Sequence, residues 1–209
     1  LAEQQLSFGA FRGMYPTVVE QDFAPDGRIY ALPLYVDTLA MFYNRELLNK
    51  AGVAEPPKTW GDFQNAVQRL TKLDAQGNVI QAGAALGTGA NVDRAADLIS
   101  LLMMQNGTNM MDSRQKNVAF HTKPAGFPRS FPPGEEALIF YTDYADKDNA
   151  VYTWNESQAN SLEAFISGKA AYFFGYSYHR EQIEKRAPGL KFNVSKSPII
   201  EGNQEIHFA

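Results

Sequence analysis

Three short stretches of this chain gather side chains able to hold a small polar molecule. Tyr152-Thr153-Trp154-Asn155 and Gly175-Tyr176-Ser177-Tyr178 mix aromatic rings with hydroxyl and amide groups, and Leu86-Gly87-Thr88-Gly89-Ala90-Asn91 sets a flexible loop beside an amide. An aromatic face packs against C–H groups while hydroxyls and amides bond at its rim, which is the chemistry a carbohydrate needs. Tyr176, Ser177 and Tyr178 follow an apolar run, at the sheet end where open α/β proteins bind ligands. One of the two tyrosines is expected to lie in the core. Gly89 belongs to a loop whose helix N-terminus presents free backbone donors, and Asn91 adds a side chain that both donates and accepts. Trp154 immediately precedes Asn155 and has no place on a helical face. Either its ring plugs the domain surface, or its indole is presented to a ligand with Tyr152 as a weaker neighbour. Tyr35, just past Pro33, is a contact or a packing residue; Asp37 is an acceptor for hydroxyls or a solvated carboxylate.

Other chemistries fail on spacing. Gly87 and Gly89 invite a dinucleotide fingerprint, but the third glycine would fall at Val92, whose branched side chain blocks close approach. There is no nucleophile elbow, no zincin helix and no Walker loop. His121, His179 and His207 are too scattered for metal ligation. A calcium loop from Asp146 would need glycine where Val151 stands and glutamate where Ser157 stands. Glu135-Glu136 fits a helix start and needs no glycosidase role. Asn155-Glu156-Ser157 and Asn193-Val194-Ser195 match a glycosylation sequon that a bacterial origin would make incidental. No catalytic residue, cofactor or metal is expected.

The elements that must position these loops alternate. Leu34 to Tyr43 alternates bulky and small residues like a strand. Asn44 caps a helix from Arg45 to about Lys50, stopped by Gly52. Thr59 and Asp62 start the next helix, 60–73, with Trp60, Phe63, Val67 and Leu70 on one face. Strand 79–86, helix 93–105, helix 134–145, helix 156–167 capped by Asn155, strand 170–174, helix 178–186 and strand 191–195 follow. Residues 113–133, with Pro124, Pro128, Pro132 and Pro133, are irregular, and Ala24-Pro25-Asp26-Gly27 is a turn. Alternating strand and helix predicts α/β layers. The sheet is expected to be mainly parallel, with strands 79–86 and 170–175 central.

The 209 residues allow one large domain or two small ones. With 44% hydrophobic residues the chain can build a core, and a net charge of −4 with scattered basic residues leaves no footprint for nucleic acid. No apolar run reaches the roughly 20 residues that span a bilayer. Cysteine is absent, excluding disulfides and thiolate metal sites. Leu1-Ala2-Glu3-Gln4 has neither the basic nor the apolar region of an export signal.

The stretch Ile29–Trp60, reading IYALPLYVDTLAMFYNRELLNKAGVAEPPKTW, resembles the crossing between lobes in extracellular solute-binding proteins of ABC importers. This is the sugar-binding family that includes maltose-binding protein. Leu86–Asn91 is similar to the loop before the family's cleft-facing helix. Tyr152–Asn155 with Leu162–Ala171 resembles its late helix–strand unit, and Phe173–Tyr178 its ligand loop. The resemblance implies a two-lobe, periplasmic-binding-protein-like α/β fold of type II, with one nearly complete lobe and part of the other present. Residues 1–36 would be the remnant of a first lobe with the hinge strand, 37–196 the second lobe, and 197–209 a return crossing that re-enters a strand near Ile206–Ala209. It further implies capture of a carbohydrate or similar small polar solute between lobes that close about a hinge, delivery to an ABC importer permease in the membrane, a monomer, and export to the periplasm or cell surface. Compared with the family the chain reads as truncated at both ends, so alone it should bind poorly. The alternatives are a lobe of a carbohydrate-active enzyme or a structural α/β module. The ligand residues expected are Tyr35, Asp37, Gly89, Asn91, Trp154, Tyr176, Ser177 and Tyr178, with the Gly87–Asn91 and Gly175–Tyr178 loops converging with Trp154 on one cleft wall.

Overall fold

A computed structural model describes residues 6–114, 116–203 and 205–208. The Leu1–Gln4 stretch and Ala209, on which expectations about the chain ends fell, lie outside the described residues. Residues through Asp37 form one compact unit and Thr38–Phe208 a second.

In the first unit, α1 (Phe8–Met14) begins at Ser7, whose hydroxyl accepts from the Ala10 N–H, and α2 (Thr17–Phe23) follows Pro16. Phe11, Val19 and Ala24 are buried between the two helices. An Arg12–Glu20 ion pair of 2.8 Å ties their exposed side.

The second unit is built on β1 (Ala40–Asn44), β2 (Lys72–Leu73), β3 (Val79–Ala84), β4 (Ala170–Gly175) and β5 (Phe192–Lys196), in the order β2-β3-β4-β1-β5. The expectation of a mainly parallel sheet is corrected. Only β3 and β4 pair in parallel; β1 runs antiparallel to both β4 and β5, and β2 is antiparallel to β3. The strands β3, β4 and β5 do share one direction. The chain enters through β1, which inserts between β4 and β5 against that direction.

β4 is central, and every one of its residues is buried. That burial explains its continuous apolar run, since a strand covered on both faces has no polar side to show. Tyr172 and Phe174 join Met41 in the larger core, and Phe173 joins Phe42 on the opposite face. The larger core is closed by α4 (Trp60–Leu70), α5 (Ala95–Gln105) and α6 (Pro133–Thr142), which continues into a 3₁₀ turn over Asp143–Ala145. The smaller is closed by Leu162 and Phe165 of α7 (Ser161–Ile166) and Ile183 of α8 (Ser177–Arg186). Helices on both faces of one sheet make the α/β layering expected from the alternation.

Local signals held at several ends. The Asn44 side chain accepts from the Glu46 and Leu47 N–H groups at the start of α3 (Arg45–Lys50). Thr59 accepts from the Asp62 N–H at 3.1 Å. Other boundaries moved. The alternation from Leu34 becomes strand only at Ala40, because β4 and β5 end opposite it, at Gly175 and Lys196. A strand needs neighbours as well as a pattern. The helix expected over 60–73 ends at Leu70, where Thr71 turns extended and Lys72–Leu73 joins β3. Asn160, not Asn155, caps the helix expected over 156–167; its side chain accepts from the Leu162 N–H. Asn155 instead closes a turn by accepting from the Ser157 N–H at 2.9 Å.

Residues 197–203 and 205–208 belong to the second unit, with no strand formed over 205–208. Ile199 exchanges backbone bonds with Lys58 and Trp60, and the Leu39 N–H donates to the Phe208 carbonyl at 2.8 Å. Buried Gln105 joins this segment to the core. It accepts from the Trp60 indole at 2.7 Å and donates to the Pro198 and Ile206 carbonyls.

Candidate functional site

The parallel pair β3 and β4 sends two loops off the same edge of the sheet. Past β3 the chain turns sharply at Gly87, whose φ of +114° disfavours any side chain. A Cβ there would lie 2.8 Å from the Ala145 backbone nitrogen, so the loop can lie against the 3₁₀ turn only with glycine at this position. The Thr88 carbonyl then accepts from the Tyr141 hydroxyl at 2.7 Å, and the Thr88 hydroxyl donates to Asn91.

Asn91 is the knot of this loop. Its amide nitrogen donates to the Asn155 and Gln158 carbonyls, both at 3.0 Å, and its amide oxygen accepts from Thr88 and from the Trp154 indole, the latter at 3.1 Å. Two donated and two accepted bonds fill an amide side chain. Asn91 therefore has no free valence for a ligand, and its expected contact role is corrected to one of splicing two segments. Trp154 is corrected too. It is fully buried, so no indole face is presented to a ligand. The ring packs in the larger core because the preceding Thr153 and Tyr152 are buried as well, leaving only its N–H to reach the loop. Of this loop, Gly89 remains exposed.

The second loop leaves β4 at Gly175. A Cβ here would stand 2.6 Å from His179 Nδ1, and that closeness lets the Tyr176 N–H donate to Nδ1 at 2.9 Å. The buried imidazole is thus an acceptor at Nδ1, which places its proton on Nε2. The loop and the start of α8 present Tyr176, half-buried, with Ser177 and Tyr178 exposed. The two phenol rings lie 6.3 Å apart with their planes within 20° of parallel.

Two residues at the start of α5 hold these rings. The Tyr176 hydroxyl donates to Asp97 at 3.0 Å, and the Tyr178 hydroxyl accepts from Arg94 Nε and Nη2 at 3.1 and 2.6 Å. The Arg94 guanidinium also sits 5.3 Å from the Tyr176 ring centre and 5.8 Å from that of Tyr178. Burial, then the bond to Asp97, pushes the Tyr176 phenol well above its ordinary pKa, so it stays a donor.

The structure therefore joins Gly89, Tyr176, Ser177 and Tyr178 at one edge, with Asn91 and Trp154 as the support beneath. Tyr35, 81% exposed, and Asp37 belong to the first unit. Arg94, Asp97 and His179 were missed as parts of this arrangement. A signal existed for Arg94: a cation at a helix N-terminus opposes the helix dipole, so it calls for another duty. Chemically the wall offers parallel ring faces, phenol hydroxyls, a cation and a carboxylate. No group of three or more potential metal ligands occurs among the described residues.

A family model described as bacterial extracellular solute-binding protein matches residues 4–205. A Deinococcus radiodurans protein described as a probable ABC transporter-binding protein is 28% identical over 193 residues, covering 91% of this chain and 43% of that protein. The arabinooligosaccharide-binding protein of Bacillus subtilis is 33% identical over 85 residues, covering 40% of this chain and 18% of its own. Among solved structures, an ABC transporter solute-binding protein from Thermotoga lettingae bound with α-D-tagatose superposes with a TM-score of 0.67. It is 21% identical, with 97% of this chain and 49% of that chain covered. The fold is shared, and the chain spans less than half the length of the curated relatives that it matches over nine-tenths of its own.

Proposed function

The chain belongs to the bacterial extracellular solute-binding protein family, and on that premise we propose that it forms part of a protein that captures a carbohydrate for an ABC importer. The observation that carries the reading is the Tyr176–Tyr178 pair, fixed at one sheet edge beside the Gly87–Asn91 loop. Parallel rings suit the C–H face of a pyranose or furanose, and the neighbouring hydroxyl, guanidinium and exposed loop backbone suit its rim. The relative named as an arabinooligosaccharide-binding protein supports the ligand class.

In this reading residues 1–36 are the remnant of the first lobe with the hinge strand, which carries Tyr35, while residues 37–196, beginning at Asp37, form the second lobe and 197–209 lead back toward the first. Gly89, Tyr176, Ser177 and Tyr178 touch the sugar, and Asn91 and Trp154 keep the wall in shape. The protein acts outside the cytoplasm as a monomer, hands its solute to a membrane permease, and performs no chemistry of its own. No helix among the described residues is long and apolar enough to cross a membrane. The test is a thermal-shift screen of the intact protein against arabinooligosaccharides, maltooligosaccharides and monosaccharides, followed by calorimetry. A sugar at a hundredfold its Kd stabilises the folded state by about 2.7 kcal/mol. Failure of every sugar to raise the melting temperature would sink the ligand class.

A further inference from the structure

Arg94 stands out from the rest of the wall on two counts. Among the described residues it is the one non-glycine residue with positive φ, at φ +61° and ψ +26°. A side chain in the left-handed region is held there against its own preference, and such strain persists only where surrounding contacts over-determine it. It is also a cation at the N-cap of α5, where the helix dipole disfavours positive charge, and it makes no side-chain capping bond. Neither feature helps α5 to form. Both are offset by what the guanidinium reaches: two bonds to the Tyr178 hydroxyl and the faces of both Tyr176 and Tyr178. Asp97, three residues on, holds the Tyr176 hydroxyl from the same helix turn.

We infer that Arg94 is a positioning residue of the sugar-binding wall, its strained backbone aiming the guanidinium so that the Tyr176 and Tyr178 rings stand parallel before the solute arrives. The inference rests on the carbohydrate reading above. The planar fork bridges one phenol oxygen while lying against both rings, a geometry that lysine, a compact point charge, does not reproduce. Holding two rotatable rings in register removes ordering cost from the binding step, so the gain appears in affinity.

The test uses the intact protein with Arg94→Gly and Arg94→Lys, both at an exposed position. Glycine accepts the left-handed backbone without strain, which offsets the lost contacts, so Arg94→Gly should melt near the wild-type temperature. The same variant should bind the best sugar of the screen about tenfold more weakly, and Arg94→Lys should recover only part of that loss. Affinity thus falls while stability holds, which a merely structural arginine would not produce. A second readout needs no ligand. With 3-fluorotyrosine incorporated, and resonances assigned through Tyr176→Phe and Tyr178→Phe, the Tyr178 fluorine signal should move toward its unfolded position in Arg94→Gly. If wild type binds a sugar and Arg94→Gly binds it equally well, the positioning role is overturned. If no sugar binds wild type, the functional reading fails, and an unmoved fluorine signal then overturns the ring-holding role independently.

Discussion

Trp154 and Asn91 depend on each other, and the indole serves the site from underneath. The ring is fully buried, and its N–H ends on an amide oxygen that also receives the Thr88 hydroxyl. Replacing Trp154 by Ala should remove a large core side chain and cost about 3–5 kcal/mol of stability. Replacing it by Phe keeps most of the packing and removes the donor. A double-mutant cycle of Trp154→Phe with Asn91→Ala, read by urea unfolding, should give a coupling of roughly 0.5–3 kcal/mol. Additive effects would mean that the bond holds nothing together. In Trp154→Ala folding suffers first, and binding through it.

At the scale of elements, the wall depends on how closely β3 approaches α4. Gly83 makes that approach possible, since a Cβ there would lie 2.5 Å from the Val67 carbonyl and 2.9 Å from the Thr71 hydroxyl. The Gly83 N–H donates to the buried Thr153 hydroxyl at 2.7 Å, which also bonds Thr71 at the same distance. Gly83→Ala must push the strand off the helix and should cost about 1–3 kcal/mol. For a chain of this size that lowers the melting temperature by roughly 2–4 °C per kcal/mol. Gly13→Ala is the contrast. It lies in α1 with nothing within 4 Å of where a Cβ would stand, and should be neutral or stabilising by up to about 1 kcal/mol. Calorimetric scans of the two variants decide the matter, and equal effects would refute the close-approach account.

At the scale of the whole molecule, the late segment 197–208 is held to the second unit through Gln105. That side chain is 2% exposed, and its three bonds join α4, α5 and two points of the segment. Gln105→Leu matches its volume but leaves the Trp60 indole N–H and two carbonyls without these partners, at about 1–3 kcal/mol for a buried group. Hydrogen exchange should then speed up over 197–208 while the central β4 keeps its protection. Uniform acceleration across both would show general destabilisation and remove the local role.

Several features of this protein could be read from residues alone because they are set by near neighbours in the chain. The Asn44 and Thr59 caps, the α4 face carrying Trp60, Phe63, Val67 and Leu70, and the buried apolar run of β4 were all legible for that reason. So was the emergence of two ligand-type loops from strand ends, since each followed an apolar run and preceded a helix. Sequence also carried the resemblance that the family match bears out. Strand direction was not legible, because pairing β1 between β4 and β5 is decided by partners roughly 130–155 residues away. Nor was the fate of the polar groups. An asparagine that can donate and accept reads as a ligand contact until Trp154, Asn155 and Gln158 fill its valences from over 60 residues away. Arg94 became visible as part of the wall only when folding set it against Tyr176 and Tyr178, some 80 residues along the chain. Caps and periodicity are satisfied within a turn or two, so the sequence states them outright. Hydrogen-bond saturation and ring orientation depend on contacts between distant segments, which only the tertiary structure brings within reach.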